Sequence, residues 1–150
     1  MGTKILVSTN TDIACGAGTP KTVLGYKAAS GVAARVLRYG VSFDGTSSTD
    51  ARATIDFQKK PSSAGTATDI STEIATVSGK STSVGTAFQN YSGEPGSDAS
   101  TRVLRPHRMA PTGPFETLAG IDLDPAEQIG LRVYGASGKT CRAWMEIELG

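Results

Sequence analysis

Cysteine, histidine and tryptophan are scarce in this chain of 150 residues, which holds 2 Cys, 1 His and 1 Trp. Cys15 and Cys141 stand far apart with no CxxC spacing and a single imidazole elsewhere, so a tetrahedral zinc site lacks ligands. The two thiols read first as small buried hydrophobes, second as a disulfide and last as a reactive thiol, because cytoplasmic synthesis keeps thiols reduced. A disulfide framework is not required either: a chain of this length buries about two-thirds of its unfolded surface and forms one domain around its own core. An excess of one charge is also missing. With 15 Lys and Arg against 14 Asp and Glu, no net field draws in nucleic acid or an anionic membrane. Aromatic residues make up 6% of the chain and do not alternate with basic ones, which removes the usual support for single-strand nucleic-acid binding. Long apolar runs are absent as well. The opening MGTKILVSTNTDIAC has one Lys and a three-residue apolar run, too short for a secretory core or a membrane span, so synthesis in the cytoplasm is expected.

What is present is Gly, Ser, Thr and short alternating runs. In ARATIDFQ, Ala51, Ala53, Ile55 and Phe57 share one face and Arg52, Thr54, Asp56 and Gln58 the other, the period of a half-buried strand. Leu37, Tyr39, Val41 and Phe43 share a face before it. In the closing TCRAWMEIEL, Cys141, Ala143, Met145, Ile147 and Leu149 point one way and Arg142, Trp144, Glu146 and Glu148 the other. Weaker strand signals lie at 4–9, 22–28, 70–77, 87–91, 102–109, 115–118 and 128–134. Together they predict about eight to ten short antiparallel strands, the spacing of an all-β sandwich or barrel. DPAEQ predicts one helical turn, with Asp124 as cap, Pro125 at the first helical position and Glu127 where a capping box places a carboxylate. Residues 61–88 form a Ser/Thr/Ala-rich excursion. It either runs over the surface with Ile70, Ile74 and Val77 pinned down or orders against a neighbouring subunit. Residues 1–30 hold the first strands and a candidate arm that orders on a partner; residues 31–150 hold the sandwich.

No cluster of side chains spells out an enzyme. GAGTPKT follows a strand-like run, but Pro20 removes an amide where a phosphate loop needs Gly, and the VLGYKAASG that follows is strand-like. His107 is the sole base available to a Ser or Cys nucleophile, and Arg102, Arg105 and Arg108 around it depress its basicity. It reads as an exposed His in a basic strand; its functional alternative is a contact patch for an acidic protein surface or a phosphate. Asp122 and Asp124 lack the further oxygens a calcium loop needs. Asp44 and Asp50 flank GTSST in a loop whose Asp-Gly and hydroxyls solve a backbone turn. The NYS sequon at Asn90 has no secretory context. Trp144 lies opposite the inward row of the last strand and serves a subunit interface or is covered by other parts of the fold. No metal, cofactor or small-molecule substrate is called for. Candidate protein-contact residues are therefore Trp144, Arg102, Arg105, His107, Arg108, Asp44 and Asp50.

The stretch YGVSFDGTSSTDARATIDFQ resembles a strand, FDGTSST loop and strand unit of small tailed-bacteriophage proteins encoded among the virion structural genes. YSGEPGSDASTRVLRPHRMAPTGPF, with its Tyr-x-x-Glu-Pro segment, and the terminal TCRAWMEIEL are similar to the same group. The resemblance covers roughly residues 36–149; the Ser/Thr/Ala insertion and IDLDPAEQ depart from it. It implies a jelly-roll-like β-sandwich and a non-enzymatic capsid decoration (cement) protein that trimerises over junctions between major capsid proteins on the outer face of the virion. Two other roles stay open: a tail-associated receptor or carbohydrate binder, and a tail-tube or head-completion component.

Overall fold

Alternating apolar side chains can be buried only if a second sheet covers them, and the chain supplies that second sheet itself. The computed structural model describes residues 2–44, 52–79, 83–136 and 138–150. It is all-β: two six-stranded antiparallel sheets face each other. The strands are β1 (Thr3–Ser8), β2 (Ile13–Ala14), β3 (Thr22–Lys27), β4 (Ala34–Asp44), β5 (Ala53–Lys59), β6 (Thr66–Asp69), β7 (Ala75–Ser78), β8 (Thr86–Gly93), β9 (Arg102–Met109), β10 (Thr112–Leu123), β11 (Gln128–Tyr134) and β12 (Thr140–Leu149). The first sheet runs β10-β4-β12-β1-β7, with β2 added on β12; the second runs β6-β8-β3-β11-β5-β9.

The inward row of β12 is the one its alternation predicts: Cys141, Ala143, Met145, Ile147 and Leu149 are all buried. It meets Ile5 and Val7 of β1, Tyr39 and Val41 of β4, and the facing Ile55, Phe57, Leu131 and Val133 in one continuous core. Each such large side chain contributes roughly 1.5–3 kcal/mol relative to exposure. The segment offered as a partner-ordered arm is ordered within the chain, because β1 pairs β12 on one side and β7 on the other.

Four expectations need correcting. Leu37 does not share the inward face of Tyr39: the pairing of β4 with β12 skips from Arg38 to Val36 and its pairing with β10 shifts at the same place, with Gly120 at φ +64°. This bulge inverts the alternation, so Val36 is buried and Leu37 only half-buried. Strand β5 is buried on both faces: Asp56 and Gln58, expected outward in water, are 2% and 6% exposed. DPAEQ forms a tight turn and no helix. Pro125 precedes Ala126 at φ +63°, the Glu127 amide donates to the Asp124 carbonyl at 3.0 Å, and the Glu127 carboxylate accepts from the Asp124 amide at 2.6 Å. The capping-box bond forms, but the positive φ and the start of β11 end the turn. Within the excursion the predicted strand at 70–77 is broken by a short 3-10 turn at Ser71–Glu73. Ile70 is buried and Ile74 partly so, whereas Val77 is 56% exposed.

The excursion orders by backbone pairing inside the chain. β6 adds to β8 in one sheet and β7 to β1 in the other, so it extends both sheets along the flank opposite β9 and β10. Asp69 accepts from the Ser71 amide at 2.8 Å and the Gln128 side chain donates to the Ala64 carbonyl at 3.0 Å.

Asp56 is tolerated in the second sheet because Arg132 on the neighbouring strand grips it with both nitrogens, at 2.6 and 3.0 Å, and the Tyr134 hydroxyl donates at 3.0 Å. Burial alone pulls the Arg132 pKa down, but the Asp56 hydrogen bonds and charge reverse this and raise it. Removing one partner leaves a buried charge unpaired, so Asp56→Ala is expected to cost about 3–5 kcal/mol, while Asp56→Ala with Arg132→Met recovers most of that loss. Urea unfolding of the two variants and the parent checks this; equal losses in both would contradict it.

Candidate protein-contact surface

Edge strands expose unpaired amides and carbonyls, and the two flanks of this sandwich treat them differently. On one flank the excursion supplies short outer strands. On the other, β9 and β10 are consecutive and form the outer strands of the two sheets. In β9, Arg102, Val103, Arg105, Pro106, His107 and Arg108 are exposed, and only Leu104 and Met109 pack against the core. An alternating strand would hide every second residue; this one partly hides two of eight.

A bulge causes this. The pairing of β9 with β5 shifts between Ile55 and Phe57, and Arg105 sits at φ +54° just before Pro106, which has no amide to donate. The Arg105 guanidinium turns back to donate to the Ala119 carbonyl of β10 at 3.0 Å, tying the two outer strands together. Arg102 donates to the carbonyls of Ala99 and Thr101 at 2.8 and 3.1 Å. His107 stacks on Phe115 of β10, with ring centroids 4.5 Å apart and 25° between planes. Phe115 meets Tyr39 edge-on at 6.0 Å, and Tyr39 meets Phe57 at 4.7 Å. An aromatic chain thus runs from the core to the surface and ends in His107, which anchors the basic strand.

Trp144 belongs to a different patch, the outer face of the first sheet. Its register partner is Gly40, and any Cβ there would lie 2.3 Å from the indole nitrogen, so the missing side chain is what lets the ring lie flat across β4. Arg38 stands over the ring at 5.7 Å. It also donates to Glu146 at 3.1 Å and Glu116 at 3.2 Å, so one guanidinium joins β10, β4 and β12. Leu118, register partner of Arg38 at the outer strand, is 77% exposed. The structure therefore brings Arg102, Arg105, His107 and Arg108 together on β9 and keeps Trp144 apart on the sheet face. Asp50 lies outside the described residues.

Asp44 acts on the fold. At the end of β4 its carboxylate accepts from the Thr140 amide at 2.8 Å and starts β12. Hydrogen bonds from Thr140 hold its pKa below the ordinary aspartate range. The loop after β8 likewise spends its polar groups internally: Asp98 accepts from the Ser100 amide at 2.8 Å, and the Thr101 hydroxyl donates to the Lys60 carbonyl at 2.8 Å. Sequence reasoning missed Arg38, Leu118 and Val103. Arg38 looks like any outward basic residue until its cross-strand partners are known, and Leu118 and Val103 sit in runs that read as ordinary strands. Among the described residues, no group of three or more His, Cys, Asp or Glu could hold a metal ion. No protein-family model, curated protein or solved structure matches the chain.

A carboxylate whose folded-state pKa is depressed adds stability above its unfolded pKa and loses it as pH falls through the folded value. The parent should therefore melt above Asp44→Asn near neutral pH, with the gap closing below about pH 4. Thermal melts of the two proteins across that range check this; a gap independent of pH would contradict it.

Proposed function

We propose that this chain is a non-enzymatic structural protein of a tailed-bacteriophage particle, a decoration (cement) protein that docks as a trimer on the major capsid proteins at the outer surface of the head. The observation that carries the reading is β9, an outer strand with six of its eight residues exposed, three of them arginines, alongside the half-exposed Val103. Such a strand, joined at Arg105 to the exposed β10, offers unpaired backbone, apolar area and guanidinium forks for carboxylates on a partner protein. Near-neutral overall charge lets many copies sit side by side without mutual repulsion.

We read the wind of the two sheets as a jelly roll. Supporting this, the last strand lies between the first and β4 in the order β10-β4-β12-β1, and β3-β11-β5-β9 forms its counterpart. The excursion, with β6, β7 and β8, then adds strands to the β1 and β3 edges of that frame. The resemblance of the sequence FDGTSST to virion structural proteins supports the same role.

Heads made without this protein should bind it saturably in a pelleting assay. Arg102→Glu and Arg108→Glu together should weaken binding by at least about tenfold, roughly 1.4 kcal/mol, while circular dichroism stays unchanged. Size-exclusion chromatography with light scattering should give three times the 15.5 kDa chain mass. Capture by glycans with no binding to heads would overturn the proposal in favour of a tail-associated binder, and a monomer at every concentration, on heads included, would overturn the trimer.

A further inference from the structure

Strand β2 has two residues, yet its pairing brings the two cysteines together from opposite ends of the chain. Ile13 faces Cys141 and Ala14 faces Thr140. The register continues one step further, where the Cys15 amide donates to the Lys139 carbonyl at 2.9 Å. Cys15 and Cys141 are therefore diagonal neighbours on an antiparallel pair. Both are free thiols, and their side chains stand on the same face of this pair. Cys141 is sealed in the core at 2% exposure, whereas Cys15 is half-buried at its edge. Their proximity also makes them chemically unequal. The hydrogen bond from Cys141 lowers the Cys15 pKa, and the same bond together with burial pushes Cys141 up. Cys15 is the accessible, more acidic thiol and hence the first nucleophile.

We propose that Cys15 and Cys141 form an intrachain disulfide when the protein meets an oxidising thiol–disulfide buffer, clamping β2 to the closing strand β12. With glutathione disulfide as the oxidant, the Cys15 thiolate attacks one sulfur and expels a glutathione thiolate. Cys141 then attacks the Cys15 sulfur of the mixed disulfide and expels the second glutathione thiolate, which takes up the Cys141 proton as it leaves. Two protein thiols are oxidised to one bridge, one glutathione disulfide is reduced, and the released protons end on the two glutathione thiols. Cα atoms of diagonal pairs ordinarily sit about 7–8 Å apart, against about 4.4–6.8 Å across a disulfide, so closure draws β2 inward by about an ångström. A two-residue strand paired to one neighbour accommodates that shift while β12 keeps its ladders to β1 and β4. The bridge closes a loop of most of the chain, which places its effect on the unfolded state near the upper end for a single disulfide.

The test is incubation of the reduced protein with glutathione disulfide at mildly alkaline pH, followed by denaturation, alkylation and intact mass measurement. The expected product is a monomer lighter by two hydrogens that takes up no alkylating agent, with a non-reduced tryptic peptide joining Cys15 to Cys141. Its melting midpoint should rise by roughly 5–15 °C, and the rise should vanish on reduction and in Cys15→Ser. Two alkylatable thiols after oxidation, a stable glutathione adduct on Cys15, or a disulfide-linked dimer as main product would overturn the proposal. A bridge that forms without raising the midpoint would overturn the clamp.

Discussion

The closing strand β12 must reach back between the first strand and β4 before the first sheet is complete. β12 pairs β1 from Thr3 to Ser8 on one side and β4 from Ala34 to Phe43 on the other. Its inward row lies against the facing sheet, so backbone pairing and side-chain burial are gained in one step. This pairing is non-local, and its entropy of closure is large compared with that of a hairpin. Asp44 sets where β12 begins, and β2 borrows the same strand to bring the Cys15 region into the fold. Much of the outer face depends on it too, because Glu146 and Trp144 meet Arg38 only when β12 lies beside β4 in this register.

The two flanks of the sandwich are built differently. Along β6 and β7 the low-apolar excursion adds strands whose pairing lies within the chain, and Ile70 with the partly buried Ile74 anchors it. Along β9 and β10 a bulge at Arg105 and Pro106 turns a strand that local alternation would half-bury into one with only Leu104 and Met109 packed against the core. The aromatic chain from Phe57 to His107 keeps that exposed strand attached to the core. On this strand His107 is held by stacking and Arg102 and Arg105 by hydrogen bonds to backbone carbonyls, so these side chains keep less rotamer freedom than unpaired ones.

Charge in this protein is placed where neighbouring strands supply the opposite sign. Arg38 bridges Glu116 and Glu146, Arg142 meets Asp12 at 2.8 Å, and Arg35 meets Asp122 at 3.2 Å. These exposed pairs contribute little each and are screened by salt. Asp56 and Arg132 differ because water is excluded from them. Their pairing specifies the register of β5 against β11, since a slip of one residue would bury an unpaired carboxylate.

By itself, the sequence determined the class of the fold and the content of its buried rows. Alternation in TCRAWMEIEL and ATIDF is a property of one strand, and a strand's two faces follow from its own geometry. The basic composition of RVLRPHRM was legible for the same reason. Tertiary structure alone decided which strands are neighbours. From that came the inversion of the row at Leu37, the burial of Asp56 beside Arg132, the flat seat of Trp144 on Gly40 and the meeting of Cys15 with Cys141. It also decided that DPAEQ would be a tight turn, because β11 must start at once to pair with β3 and β5. Cross-strand partners depend on strand order and register, which are set by burial summed over the whole chain, and no local window of residues contains that sum.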